Sequence, residues 1–281
     1  MPASPQAIAV IPAHDKREAH ELYAQIAAWL KERGVRLVTE EELHDGAPVD
    51  AIIALGGDGL MMRMARANPG VPILGINFGT VGFLAMAERS RWKEALEALL
   101  KGDFRYQDGP ILQVVIERDG SKVQAGIAIN DVVIRSGIRM IDTELYIDRR
   151  YVNIYPGDGM IVATPQGSTA YCMAAGGPIL IAGVHGFAVT PLSPHSPIRS
   201  TLVVPEESEI ELVIANDRRA SLILDGEEVD TVGKGEVVCV RRCDEPFRMI
   251  MLEDMNFYDA FRSKFNYMIR PGVEPSLGNN R

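Results

Sequence analysis

Three short stretches of this chain combine glycines with carboxylates or hydroxyls in patterns suited to chemistry on a phosphate compound. The first is Gly56-Gly57-Asp58-Gly59, directly after the apolar run 51–55. Glycines there let a backbone approach a phosphate with no Cβ in the way, and the next helix offers unpaired N–H groups at its start. An aspartate in such a loop repels phosphate unless it takes a proton or meets a metal. A tight turn in which Asp58 only caps the helix uses the same residues. The second stretch, Asn130-Asp131, interrupts a β-rich run. It reads as a bulge or ligand-facing kink able to hold sugar hydroxyls or base edges, or as a simple turn. The third runs from Gly157-Asp158-Gly159 to Thr164-Pro165-Gln166-Gly167-Ser168-Thr169-Ala170-Tyr171. A strand there feeds a Gly-, Ser- and Thr-rich turn and then a helix expected over about 168–175, with Ser168 or Thr169 as its cap. The turn can present N–H and hydroxyl donors to a nucleotide, with Tyr171 packing on a flat ring. A hairpin turn plus a capped helix accounts for the same residues.

Other signatures are missing. The chain has no Gly-x4-Gly-Lys-Ser/Thr loop, no Gly-x-Gly-x-x-Gly after a strand and no Gly-x-Ser-x-Gly elbow. His195, in Ser193-Pro194-His195-Ser196-Pro197, reads as a structural or interface residue. Cys239 and Cys243 are four apart in an expected strand, with no second pair to complete a zinc site, and Cys172 stands alone. Three cysteines make no disulfide framework, and a reducing, cytoplasmic setting is expected.

The elements that must position these residues fall into two groups. Strands at 8–11, 35–38, 51–55 and 71–76 alternate with helices at about 19–33, 60–67 and 91–101, the first carrying Ala19, Leu22, Ile26, Trp29 and Leu30 on one face. That alternation implies parallel strands with crossover helices. From residue 111 short strands dominate: 112–118 and 122–129 flank the hairpin signal Asp119-Gly120, and 143–147 and 151–155 flank Asp148-Arg149-Arg150. Further strands are expected at 202–204, 209–214, 221–224 and 236–241, which suggests a β-sandwich-like domain. The expected fold is therefore an α/β (Rossmann-like) domain over 1–101 and an all-β sandwich-like domain over 102–249. The segment 269–281 is expected to be a mobile tail.

With 281 residues, 47% apolar and 24% charged, the chain has ordinary globular composition and can bury a core without disulfides. No apolar run approaches the roughly 18 to 20 residues of a membrane helix, and a secretory signal is not expected, since 1–10 lack a basic region followed by a long apolar stretch. The balance of 29 basic against 38 acidic residues, net −9, argues against nucleic acid or an anionic membrane as partner. A phosphate substrate would then depend on backbone amides, a few arginines and Mg²⁺.

Taken in order, the three motifs resemble those of the NAD kinase family. The likeness extends through Gly176-Gly177-Pro178-Ile179-Leu180, Pro191-Leu192-Ser193-Pro194-His195, Asp225-Gly226-Glu227 and Arg241-Arg242-Cys243, from about residue 8 to 265. The resemblance implies an N-terminal α/β domain, a C-terminal β-sandwich-like domain with the nucleotide in the crevice between, and a helical segment within 250–268 returning to the first domain. It implies transfer of the ATP γ-phosphoryl group to the 2′-hydroxyl of the adenosine ribose of NAD, giving NADP. Mg²⁺ would accompany ATP, polyphosphate could replace ATP in some members, and a homodimer or homotetramer would form. Carried over, Asp58 is the base. Gly56, Gly57 and Gly59 shape the phosphate loop. Asp58, Gly59, Arg63, Asn130, Asp131, Arg139, Asp158, Thr169, Ala170, Tyr171, Cys172, Met173, Ala174 and Glu227 are the expected NAD-binding residues, with Arg139 able to lie across a subunit interface. No protein side chain is expected to ligate metal. Three positions depart from the family pattern: Asp131 where Glu is common, Gln166 where Thr is common, and Glu227 where Gln is common. Glu227 cannot donate a hydrogen bond unless protonated. Two other readings use a similar scaffold: a lipid kinase of the diacylglycerol or sphingosine type, which shares the Gly-Gly-Asp-Gly loop, and a non-catalytic NAD sensor.

Overall fold

The computed structural model describes residues 4–78, 82–84, 87–253, 258 and 260–262. It divides into two compact units, one built from Met1–Met64, Val71–Tyr106 and Met249–Arg281, the other from Ala65–Gly70 and Gln107–Arg248. The chain begins β1 (Ala7–Pro12), α1 (Arg17–Glu32), β2 (Arg36–Val38), α2 (Glu40–His44), β3 (Ala51–Gly56), α3 (Asp58–Ala67), β4 (Ile73–Asn77), β5 (Ala87–Glu88), α4 (Trp92–Lys101) and β6 (Arg105–Gly109). Apolar runs at β1, β3 and β4 make strands buried on both faces, as parallel sheets require. Their pairings are parallel, β1 with β2 and β3, and β3 with β4. Ile53, Leu55, Leu74 and Ile76 pack with Leu22, Ile26 and Leu30 of α1 and Leu96 and Leu99 of α4. Trp29 and Trp92 meet edge to face at 6.0 Å. The short α2 was not anticipated; a reciprocal capping box between Thr39 and Glu42 starts it.

The second unit contains β7 (Leu112–Arg118), β8 (Ser121–Ala128), β9 (Asp131–Arg135), β10 (Ile141–Ile147), β11 (Arg150–Gly157), β12 (Gly159–Ala163), α5 (Tyr171–Ala174), β13 (Gly186–Leu192), β14 (Leu202–Pro205), β15 (Ile210–Ile214), β16 (Ala220–Leu224), β17 (Glu227–Val232) and β18 (Val237–Arg242). These form two six-stranded antiparallel sheets, ordered β11-β10-β15-β18-β7-β8 and β14-β13-β12-β9-β16-β17. Leu112, Val114, Leu212 and Val240 of the first sheet share one core with Val132, Ile134, Met160, Val162 and Phe187 of the second, which makes a sandwich. Both expected hairpins turn in two residues with positive φ, Asp119 (47°) with Gly120 (76°), and Asp148 (51°) with Arg149 (63°), the twist-matched geometry for such loops.

A final strand, β19 (Phe247–Met251), pairs in parallel with β4, and the first sheet runs β2-β1-β3-β4-β19-β6 with β5 beside β4. The returning segment thus opens with a strand ahead of the expected helix, with Ile250 and Leu252 in the first core, and helical backbone is present at residues 258 and 260–262. Phe257, Phe265 and the expected tail 269–281 lie outside the described residues. No helix among the described residues is long and apolar enough to cross a membrane.

Candidate functional site

In the first unit, Gly56 closes β3 and Asp58 lies in the first turn of α3, so the helix starts two residues earlier than expected, at Asp58 rather than Leu60. The Asp58 carboxylate accepts the backbone N–H of Phe83 at 2.8 Å on Oδ2 and of Leu84 at 3.1 Å on Oδ1. Gly82 permits this: a Cβ there would sit 1.8 Å from Asp58 Oδ1. Gly57 and Gly59 differ, since a Cβ on either would meet nothing within 4 Å and neither has a positive φ. Packing among the described residues does not demand these two glycines. They keep space open beside Asp58. Arg63, further along α3, is exposed and approaches Glu40 at 3.9 Å.

In the second unit, the motifs converge where the chain crosses between sheets. β8 belongs to one sheet and β9 to the other, so Asn130 occupies the corner and Asp131 opens β9. Asp131 pairs with Ala163, the last residue of β12, and Val132 with Leu224, the last of β16. The turn after β12 and the turn after β16 therefore flank Asn130-Asp131. Thr164 donates its Oγ1 hydrogen to the Ile129 carbonyl at 2.7 Å and its N–H to the Asn130 carbonyl at 2.9 Å. Its Oγ1 also accepts the N–H of Gly167 at 3.1 Å. A Cβ at Gly167 would fall 1.9 Å from the Asn130 carbonyl oxygen. Asp225 accepts three consecutive N–H groups, from Ile129 (2.8 Å), Asn130 (2.7 Å) and Asp131 (3.2 Å).

The helix expected over 168–175 is instead a 3-10 turn at Gly167–Thr169 followed by the single turn α5, broken at Ala170 (φ −102°, ψ −123°). Neither Ser168 nor Thr169 caps it. Ser168 Oγ donates to the Pro165 carbonyl at 2.6 Å and accepts the N–H of Leu180 at 2.9 Å, and Thr169 Oγ1 donates to the Gln166 carbonyl at 3.0 Å. Tyr171 lies half-buried against a cluster of Val133, Ile161, Ala163, Cys172 and Leu180 on the outer face of the sheet. Ala170, Met173 and Ala174 keep accessible surface, whereas Cys172 is fully buried, 3.3 Å from Thr190 Oγ1. Cys172 therefore cannot offer its side chain to a ligand.

Asp158 and Arg139 do not join this cluster. Asp158 is exposed beside Gly159, which pairs with Arg135, the far end of β9 from Asp131. At about 3.4 Å per residue the two ends lie about 14 Å apart. Gly157 and Gly159 serve that corner sterically, their Cβ positions falling 2.7 Å from the Leu192 carbonyl and 1.9 Å from the Ile134 carbonyl. Arg139 is exposed at the same end. Glu227 opens β17 and takes Arg66 Nη2 at 2.6 Å, so its carboxylate is matched by a cation.

Models of the ATP-NAD kinase N-terminal and C-terminal domains match residues 42–104 and 129–252. An NAD kinase of Thermomicrobium roseum is 58% identical over 268 residues, covering 95% of this chain and 93% of that protein. The chain belongs to the NAD kinase family. An NAD kinase of Heliobacterium modesticaldum is 35% identical, with 92% of this chain and 97% of that one covered. Among solved structures, an Archaeoglobus fulgidus NAD kinase in complex with ATP is 26% identical with a TM-score of 0.71 over 92% of this chain and 99% of that one. Yeast NADH kinase complexed with NADH, 19% identical, shares the fold at a TM-score of 0.84, covering 96% of this chain and 90% of that one. The two-unit plan, parallel sheet then antiparallel sandwich, is the NAD kinase fold. The chain is accordingly a phosphotransferase, and the lipid kinase reading is not favoured.

Within that family frame, two of the three departures acquire local reasons. Glu227 faces Arg66, a residue that belongs to none of the motifs. Gln166 occupies the space above Gly109, where a Cβ would meet its Nε2 at 1.6 Å. The anchors of the motif carboxylates and carbonyls were also unforeseen: the amides of Phe83 and Leu84, Thr164, and Asp225, whose Asp-Gly turn after an apolar run was the visible signal. No group of three His, Cys, Asp or Glu among the described residues could cage a metal ion. The three cysteines are free, and burial pushes the Cys239 thiol up to about 12.

Proposed function

We propose that this chain transfers the γ-phosphoryl group of ATP to the 2′-hydroxyl of the adenosine ribose of NAD, with Asp58 as the general base. The observation that carries this is the Asp58 carboxylate, fixed by two amides beside two glycines that packing among the described residues does not require. In the step, Asp58 takes the 2′-hydroxyl proton, the ribose oxygen forms its bond to the γ-phosphorus, and the bond to the β–γ bridging oxygen breaks to release ADP. Such transfers rest on positioning and charge neutralisation rather than covalent chemistry. Mg²⁺ would arrive on the ATP phosphates and supply charge neutralisation there. Gly56, Gly57, Gly59 and Arg63 would serve the phosphates. Asn130, Asp131, Thr169, Ala170, Tyr171, Met173 and Ala174 would hold NAD, with the Arg66–Glu227 pair bordering them.

Asp158 and Arg139 stand at the opposite end of the β9–β12 pair. Their part in holding NAD would require a second copy of the chain, in keeping with a homodimer or homotetramer. Three free thiols suit a reducing, cytoplasmic setting. A coupled assay for NADP, with NAD, Mg²⁺ and either ATP or polyphosphate, tests the reading. NADP with ATP is the expected result, and the polyphosphate wells decide the donor range. Calorimetric NAD binding with no NADP in any well would favour the sensor.

Tyr171→Ala should raise KM for NAD roughly 5- to 100-fold, the range for losing one stacked base. It should change kcat far less, because ground-state binding is what it removes. An unchanged KM with a collapsed kcat would contradict this placement.

A further inference from the structure

Asp131 is 5% exposed, and among the described residues its carboxyl group takes no hydrogen bond and no ion pair. An isolated buried carboxylate is costly, and such groups either find a partner or keep their proton. Its ionisable neighbour makes the choice. Asp225 projects from the β16–β17 turn and accepts the N–H groups of Ile129, Asn130 and Asp131 itself, while its own N–H donates to the Asp131 carbonyl at 3.0 Å. Burial pushes the Asp225 carboxyl up as well, but three amide donors, and Arg66 after them, oppose that rise and favour its charged form, whereas Asp131 receives no such donor among the described residues. Arg66 faces Asp225 from the tail of α3 and is itself engaged by Glu227. From α5 the Cys172 thiol also feels Asp131, and burial first pushes that thiol up. Asp131 thus has one anion beside it, no cation of its own and no donor. Burial first, and Asp225 second, push its carboxyl up to about 7.

We propose that Asp131 meets NAD as a neutral carboxylic acid, donating an O–H hydrogen bond to an acceptor atom of the dinucleotide, and that Asp225 is the positioning residue that fixes Asn130-Asp131 and holds that proton in place. The inference rests on the reading of the second unit as the one that holds NAD. It reverses the usual polarity of a carboxylate at a nucleotide, which accepts from hydroxyls. It also gives the aspartate a physical reason, since the shorter side chain stays inside the corner beside Asp225.

The test is calorimetric NAD affinity without ATP from pH 6 to 8.5, for wild type, Asp131→Asn and Asp225→Asn. If only the protonated form binds, affinity scales with its fraction, and Kd should rise roughly 30-fold over that range for a group titrating at about 7. Asp131→Asn carries a permanent donor and should flatten the curve to within about threefold by the same relation. Asp225→Asn keeps an acceptor for the amides but removes the like charge, so the rise should begin at lower pH. A wild-type Kd that is flat or falls with pH, or an equal rise in Asp131→Asn, overturns the proposal. An unmoved curve in Asp225→Asn, or loss of its fold, overturns the part given to that residue. Should wild type bind no NAD at pH 6, the reading of the unit fails instead. Infrared difference spectra at pH 6 then decide the proton alone: the carbonyl stretch of a protonated acid, present in wild type and missing in Asp131→Asn, supports it, and its absence from wild type overturns it.

Discussion

Asp58→Asn is expected to lower kcat by about 10² to 10⁴, the usual cost of losing a general base. NAD affinity should stay within a few-fold, because the groups assigned to NAD binding in the second unit are untouched. The local geometry sharpens the expectation. Both carboxylate oxygens accept a backbone N–H, from Phe83 and Leu84, whereas an amide has one acceptor and would turn its NH₂ toward the other N–H. The variant therefore loses the base and part of what aims it. The measurement is kcat from NADP formation, paired with calorimetric NAD affinity. A turnover within tenfold of wild type would remove Asp58 from the proton-transfer step. A parallel collapse of affinity would make it a binding residue instead.

Gly167→Ala should be strongly disruptive to the second unit. The added Cβ would lie 1.9 Å from the Asn130 carbonyl oxygen and 2.3 Å from its carbon. These are backbone atoms already committed, since that carbonyl accepts the N–H of Thr164 and Gly167 itself donates to Thr164 Oγ1. Relief requires the turn after β12 to part from the corner between β8 and β9. Overpacking of this severity costs about 3 kcal/mol, which for a unit of this size lowers Tm by roughly 6 to 12 °C. The displaced corner carries Asn130 and Asp131, so KM for NAD should rise as well. Thermal unfolding and NAD kinetics on the same preparation check both. Unchanged Tm and KM would mean that the close approach does not hold in solution.

Much of the fold was legible because its signals are local. Apolar runs ending at Pro12 and Gly56 mark buried parallel strands, and Asp119-Gly120 and Asp148-Arg149 mark hairpins by the φ values they require. The elements missed lack such signals. β17 begins Glu-Glu and contains Asp230, and it exists because the Asp225-Gly226 turn folds it onto β16. β13 contains Pro191, which argues against a strand, yet it pairs on both sides with β12 and β14. At the candidate site, the motif carboxylates were visible as types in sequence. Their anchors were not: Phe83 and Leu84 are 25 and 26 residues from Asp58, and Asp225 is 94 from Asp131. Nothing local marks a backbone amide as the group that will aim a distant carboxylate. The break at Ala170 was equally invisible, because Ser168 and Thr169 are good caps by type and bond elsewhere only because Pro165, Gln166 and Leu180 are brought to them.

The order of strands in the parallel sheet also bears on how the chain is made. β19 separates β4 from β6 in that sheet, yet among the described residues it is the last strand to be synthesised, after every strand of the sandwich. Until it emerges, the hydrogen-bonding edge of β4 has only the two-residue β5 to pair with, and β6 has no neighbour in its sheet. The sandwich is complete at Arg242 and can close while synthesis continues. Domains commonly mature from the N-terminus onward; here the order inverts. The unit that begins the chain is completed only after the sandwich, and until then a bare strand edge is its point of exposure to self-association and to chaperones.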